Sequence, residues 1–224
     1  MRITVVGEHR LALRPERATL QVEVSFESAS KDEPASAATR LIETLTPELE
    51  ALRDAPSRPV SSFSVGAIAT SSWRPWSDDG GVPPLRHAAR ARVGVTFADV
   101  RVLAAFIDRW AAVPGVSLAD VAWSLTDERR ADAEREVLAA AVARARERAQ
   151  IIADAAGAGE VRFAEIADPE LLGRAEGAGA GVQGDGGGVQ LLAVSRKMGD
   201  GQGIDLSPDD LEVTARLHVR FDAE

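Results

Sequence analysis

The sequence predicts an α+β fold of antiparallel sheets, and three observations predict it. Segments 17–28, 89–97 and 211–221 alternate apolar and polar residues, the period of strands with one buried face. Helical periodicity separates the first two of these segments and returns after the second. A third, much longer helical stretch, rich in alanine and arginine, follows near residue 127.

The elements follow in order. RATLQVEVSFES (17–28) places Ala18, Leu20, Val22, Val24 and Phe26 on one face. Asp32 and Pro34 then offer a helix start, and Ala38, Leu41, Ile42, Leu45, Leu49 and Leu52 form its stripe, with Pro47 expected to kink or split it. Residues 61–70 alternate through Phe63, Val65, Ala67 and Ala69, and residues 89–97 through Ala91, Val93, Val95 and Phe97. Asp99 is placed to cap a helix with Leu103, Phe106, Ile107 and Trp110 inward, stopped by Pro114-Gly115. Val121, Trp123 and Leu125 mark the next strand. Strand, helix, strand, strand, helix, strand is the ferredoxin-like βαββαβ order, a lobe spanning 17–122.

The alanine-rich helix is expected over 127–156, capped by Thr126 or Asp127 and ended by Gly157. Leu138, Val142, Ala145, Ala149, Ile152 and Ala156 give it an apolar stripe. Its arginines are offset by Asp132, Glu134, Glu136, Glu147 and Asp154, which argues against a basic arm for nucleic acid. At 1.5 Å per residue it runs about 45 Å, and its small residues allow close approach to a second sheet or a partner subunit. Val161, Phe163 and Ile166, then Val189, Leu191, Leu192 and Val194, and finally Leu211 to Phe221 supply strands. Ile3, Val5 and Val6 are expected to join them. The outer lobe is therefore read as 1–16 and 123–224, with 173–188 (GRAEGAGAGVQGDGGG) a flexible loop within it.

A net charge of -9 argues against general nucleic-acid binding and against docking on anionic lipid. The chain has no cysteine, which excludes disulfides and thiolate ligation. No stretch approaches membrane-spanning length, so membrane insertion is not expected. MRITVVGEHR enters a strand at once, and with no leader visible a cytoplasmic location is expected.

Gly179, Gly181 and Gly184 match G-x-G-x-x-G but lack the flanking strand and helix that dinucleotide binding requires. His9, His87 and His218 form no metal-binding pair, and His218 falls on the outward face of the last strand between Arg216 and Arg220. Ser64 lacks the preceding glycine of a nucleophile elbow. Asp78-Asp79 and Asp209-Asp210 have no calcium-loop spacing around them. No catalytic residue, cofactor or metal is expected.

The feature that stands out is SSWRPWSDDGGVPPLRH, a loop joining two strands. It holds two of the four tryptophans, Trp73 and Trp76, with Arg74 between them and Arg86 at its far end. Tryptophans outside a core are enriched at interfaces, whereas the alternative is that the rings fold back on the sheet edge. Trp73, Arg74, Trp76 and Arg86 are the candidate contacts for a partner or a second copy.

The chain resembles the SIMPL-domain family. The resemblance is carried by ITVVGE and LRPERATLQVEV, by SSFSVGAIATSSWRPW, by RARVGVTFADVRVLAAFID leading to VAWSLTDER, and by AAAVARARERAQIIADAAG with LEVTARLHVRF at the end. It implies a scaffold of two α+β lobes with no defining catalytic set. Bacterial members are often associated with the envelope, and some form ring-like oligomers. Ser207-Pro208-Asp209-Asp210 stands where the family has a proline-glycine turn, and the missing leader departs from its envelope location. The expectation is a non-enzymatic, oligomer-forming scaffold or stress-associated binding protein. The alternatives are a small-ligand binder or enzyme with a pocket between the lobes, and an adaptor for a protein partner.

Overall fold

A computed structural model of the chain describes residues 1–76, 82–167 and 208–224, together with the backbone of 190–192. The fold is α+β. Its elements in chain order are β1 (Arg2–Leu13), β2 (Arg17–Ser28), α1 (Glu33–Asp54), β3 (Val60–Val65), β4 (Ala69–Trp73), β5 (Arg86–Phe97), α2 (Val100–Trp110), β6 (Val116–Ser124), α3 (Asp127–Ala155), β7 (Val161–Ala167), β8 (Gln190–Leu192) and β9 (Leu211–Ala223). All strand pairs among the described residues are antiparallel. The chain forms two compact units. Unit 1 takes Met1–Pro15 with the described parts of Leu125–Arg196 and Asp209–Glu224, and unit 2 takes Glu16–Ser124 with Pro208.

In unit 1 the two ends of the chain pair with each other. β1 and β9 run from Arg2↔Asp222 to Leu13↔Leu211 without a register shift, and β7 and β8 take the other edge of β9. Alternation along β9 is strict, so Leu211, Val213, Ala215, Leu217, Val219 and Phe221 are all buried on one face. α3 lies on that face. Its start is fixed by the Thr126 hydroxyl, which accepts from the Arg129 N–H at 3.2 Å, with Asp127 and Glu128 suited to the positive helix end. Its finish is fixed by Gly157 at φ +73. There the Ala158 N–H reaches the Ala153 carbonyl and the Gly157 N–H the Asp154 carbonyl, the paired bonds of a Schellman cap.

The buried row of α3 differs from the expected stripe. Ala133, Val137, Ala141, Ala145, Ala149 and Ala153 face inward, whereas Leu138 and Ile152 are exposed. The cause is Gly7. A Cβ there would overlap the Ala141 carbonyl oxygen and come within 2.8 Å of the Ala145 Cβ, so helix backbone and strand backbone are nearly in contact. Only small side chains fit such an approach, and size decides over hydrophobicity.

In unit 2 the sheet order is β3-β5-β2-β6, with β4 also on β5. Its principal core joins Leu20, Val22, Val93, Val95 and Phe97 of the sheet to Leu45 and Leu49 of α1 and to Leu103, Phe106, Ile107 and Trp110 of α2. Burying a side chain of that size is worth about 1.5–3 kcal/mol. Gly115, at φ +83, turns the chain into β6 against the Phe26 ring.

The helix start expected at Asp32 and Pro34 is found, and two other local expectations are corrected, the break at Pro47 and the single strand over 61–70. α1 runs unbroken through Pro47. Pro47 and the Glu43 carbonyl it cannot serve both lie at exposed positions, where water can replace the missing bond. Asp32 occupies the N-cap of α1 but its side chain accepts no capping bond. The run 61–70 is two strands, not one. Its register against β5 shifts between Val60 and Ser62, and β4 pairs farther along β5 after a break at Gly66, whose N–H still bonds the Arg92 carbonyl at 2.8 Å. The break ends the inward alternation, and every residue of β4 is exposed.

Candidate functional site

The β4–β5 hairpin places the sequence candidates together. β4 and β5 pair from Ala69↔Arg90 to Trp73↔Arg86, so Trp73 and Arg86 are direct cross-strand neighbours at the end of the ladder. Pro75, Pro83 and Pro84 lie just beyond; lacking N–H groups, they cannot extend the pairing. The two sides are held past that point by Arg74, whose Nη1 donates to the Pro83 carbonyl at 2.9 Å. One step inward, the Ser72 hydroxyl meets His87 Nδ1 at 2.8 Å, again a cross-strand pair.

Four large apolar side chains are exposed here: Trp73 at 45%, Trp76 at 75%, Val82 at 80% and Leu85 at 37%. The sequence singled out the two tryptophans and missed Val82 and Leu85. The signal was present in GGVPPLRH, where apolar residues beside two prolines have no strand or helix in which to be buried. Arg74 and Arg86 form no ion pair among the described residues. The hairpin end therefore carries four exposed apolar side chains and two cations that form no ion pair among the described residues. Such a surface can bury aromatic rings and pair with carboxylates or backbone carbonyls of another chain.

The remaining candidates are scattered. His87 is held by Ser72, His218 lies on the polar face of β9 opposite Val6, and His9 stands opposite Ala215. Ser64 is exposed on β3. Asp209 and Asp210 precede β9 and are exposed. Asp78, Asp79, the glycines at 179, 181 and 184 and the loop 173–188 lie outside the described residues. Among the described residues, no group of three or more potential metal ligands converges, and no helix is long and apolar enough to cross a membrane.

Comparison with known proteins adds one finding. The SIMPL family model, described as a protein of unknown function (DUF541), matches residues 3–221, nearly the whole chain. No curated protein matches the chain.

Proposed function

This chain belongs to the SIMPL family, and from that premise we propose that it works by binding rather than by catalysis, as an oligomer-forming scaffold whose copies meet through the β4–β5 hairpin end. The observation that carries this reading is the exposure of Trp73, Trp76, Val82 and Leu85 on the two sides of one hairpin end, joined by the Trp73↔Arg86 pair and the Arg74–Pro83 bond. Each tryptophan brings about 150–250 Å² to a contact. Two copies placing both rings together would cover roughly 600–1,000 Å², most of what a specific interface needs at its lower limit. A two-fold contact is the simplest arrangement, because each hairpin then meets its own likeness.

Sedimentation or light scattering tests this directly. The wild-type chain is expected at a multiple of 23.7 kDa, and Trp73→Ala/Trp76→Ala at a single chain mass. Stability should move by no more than about 0.5 kcal/mol, as for other exposed substitutions. A wild-type mass of one chain at high concentration, or an assembly indifferent to both substitutions, would remove the proposal.

A further inference from the structure

Among the described residues, unit 1 has a strand edge without a partner, and its chemistry differs from that of the hairpin end. β1 closes the order β1-β9-β7. The Ala223 N–H donates to the Met1 carbonyl at 2.8 Å, and the Met1 amino group returns a bond to Ala223. In an antiparallel ladder that alternation continues, so odd residues of β1 bond β9 and even residues turn both backbone groups away from it. The N–H and C=O of Thr4, Val6 and Glu8 thus face the open edge. Natural edges are commonly blunted by proline, lysine or a bulge. β1 has no proline or lysine over its 12 residues and no register shift.

A groove of about 480 Å³ follows this edge, lined by Val6, Glu8, Arg148, Ile152, Arg216 and His218 among others. An adjoining groove of about 290 Å³ shares Val6, Glu8 and Arg148 and adds Arg144, Glu147 and Ile151. Six other arginines of the same unit have carboxylate partners: Arg2 with Asp222, Arg10 with Glu8, Arg135 with Asp132, Arg146 with Glu160, Arg162 with Glu224 and Arg220 with Glu165. Arg144, Arg148 and Arg216 have none among the described residues. Glu8 is engaged by Arg10 at 2.7 Å, which leaves Glu147 as the acid of these grooves without an ion pair. In a chain of net charge -9, Arg144 and Arg148 stand beside the outer edge of β1 with no ion pair among the described residues.

We infer that the β1 edge receives an acidic segment of a partner protein in extended form, added as a further strand with its carboxylates on Arg144 and Arg148. The spacing supports a strand. Arg144 and Arg148, four residues apart on α3, are separated by about 6 Å along the helix axis. Alternate residues of a strand are about 6.6–6.8 Å apart, so two acids at i and i+2 meet both arginines. The open backbone groups supply the ladder bonds, and the arginines choose the sequence, the usual division of labour in strand addition.

The test uses the full chain and a fluorescein-labelled heptapeptide alternating aspartate with valine, read by anisotropy. Binding is expected to fall about tenfold or more in Arg144→Ala/Arg148→Ala, since charge-assisted bonds are lost. It should fall as far when alternate peptide nitrogens are methylated on the side that pairs with β1. Val6→Pro should abolish it while keeping the far-ultraviolet spectrum, because that N–H does not serve β9. If that variant fails to fold, the methylated peptides still decide. Equal binding by both methylated forms would leave only a charged patch and overturn the inference, and so would indifference to the arginine substitutions. Loss of peptide binding in Trp73→Ala/Trp76→Ala would overturn it too, as would loss of self-association in Val6→Pro, which would make the occupant a second copy.

Discussion

In unit 1 the helix face that meets the sheet is Ala133, Val137, Ala141, Ala145, Ala149 and Ala153; in unit 2 it is Leu45, Leu49, Leu103, Phe106, Ile107 and Trp110. Both faces are fully excluded from water, yet the bulk is distributed differently. Around α3 the strands carry it, through Ile3, Val5, Leu217, Val219 and Phe221, and the helix backbone comes close enough to touch the backbone at Gly7. Around α1 and α2 both layers carry it, and aromatic rings hold the layers apart. Phe106 sits 5.3 Å from Phe97 and 5.9 Å from Trp110, centroid to centroid. The two units should therefore fail in opposite directions, unit 2 when volume is removed and unit 1 when it is added.

The largest effect is expected from removal. Phe106→Ala should cost about 3–5 kcal/mol, the transfer of the ring plus the cavity it leaves. Urea unfolding followed by tryptophan fluorescence reads it, since Trp73, Trp76, Trp110 and Trp123 all lie in unit 2. A loss below about 1 kcal/mol would mean that the layer collapses freely, and the contrast between the units would weaken.

Addition comes next. Gly7→Ala introduces a single methyl, but it points at a backbone carbonyl that cannot rotate aside. The cost should reach the upper part of the overpacking range, about 3 kcal/mol, measured by circular dichroism of the helix signal. Gly157→Ala is the matched comparison: nothing lies within 4 Å of its added methyl, and only the φ of +73 opposes it. That backbone term is about 1–2 kcal/mol. If the two alanines cost the same, close approach is not what selects small residues on α3.

The same contrast explains what could be read from the residues beforehand. β2, β5 and β9 bury one face against a helix, so their alternation was visible and their inward residues were assigned correctly. The α2 face was legible for the same reason: Leu103, Phe106, Ile107 and Trp110 are the large residues, and large residues are what that layer needs. On α3 the rule inverts. Leu138 and Ile152 drew the stripe to the wrong side, because a neighbour's glycine is invisible in the helix's own periodicity. Residues 61–70 misled in another way. Their alternation continues past Gly66, but every residue of β4 is exposed. At the hairpin end, tryptophan was conspicuous and Val82 and Leu85 were not, since an isolated valine or leucine between prolines carries no period at all.

The smallest expected effect separates the units through the caps of their helices. α3 is capped by the Thr126 hydroxyl, a group that does not ionise in the folding range. α2 is capped by Asp99, which accepts from the Arg101 N–H at 2.9 Å and meets the Arg101 guanidinium at 3.0 Å. The Arg101 side chain, and then its backbone N–H, hold the Asp99 carboxyl below its ordinary 3.8. The folded value being the lower one, the ionised cap stabilises the fold fully above 3.8, where the unfolded carboxyl is also ionised. That contribution is lost as pH falls through the folded value. Removing either cap should cost about 1 kcal/mol at neutral pH. For Thr126→Ala the difference from wild type should stay constant as the solution is acidified, whereas for Asp99→Ala it should shrink below 3.8. Chemical denaturation at neutral and acidic pH reads both. A cost of Asp99→Ala that persists unchanged in acid would show that the carboxyl caps α2 by geometry alone, with its charge contributing nothing.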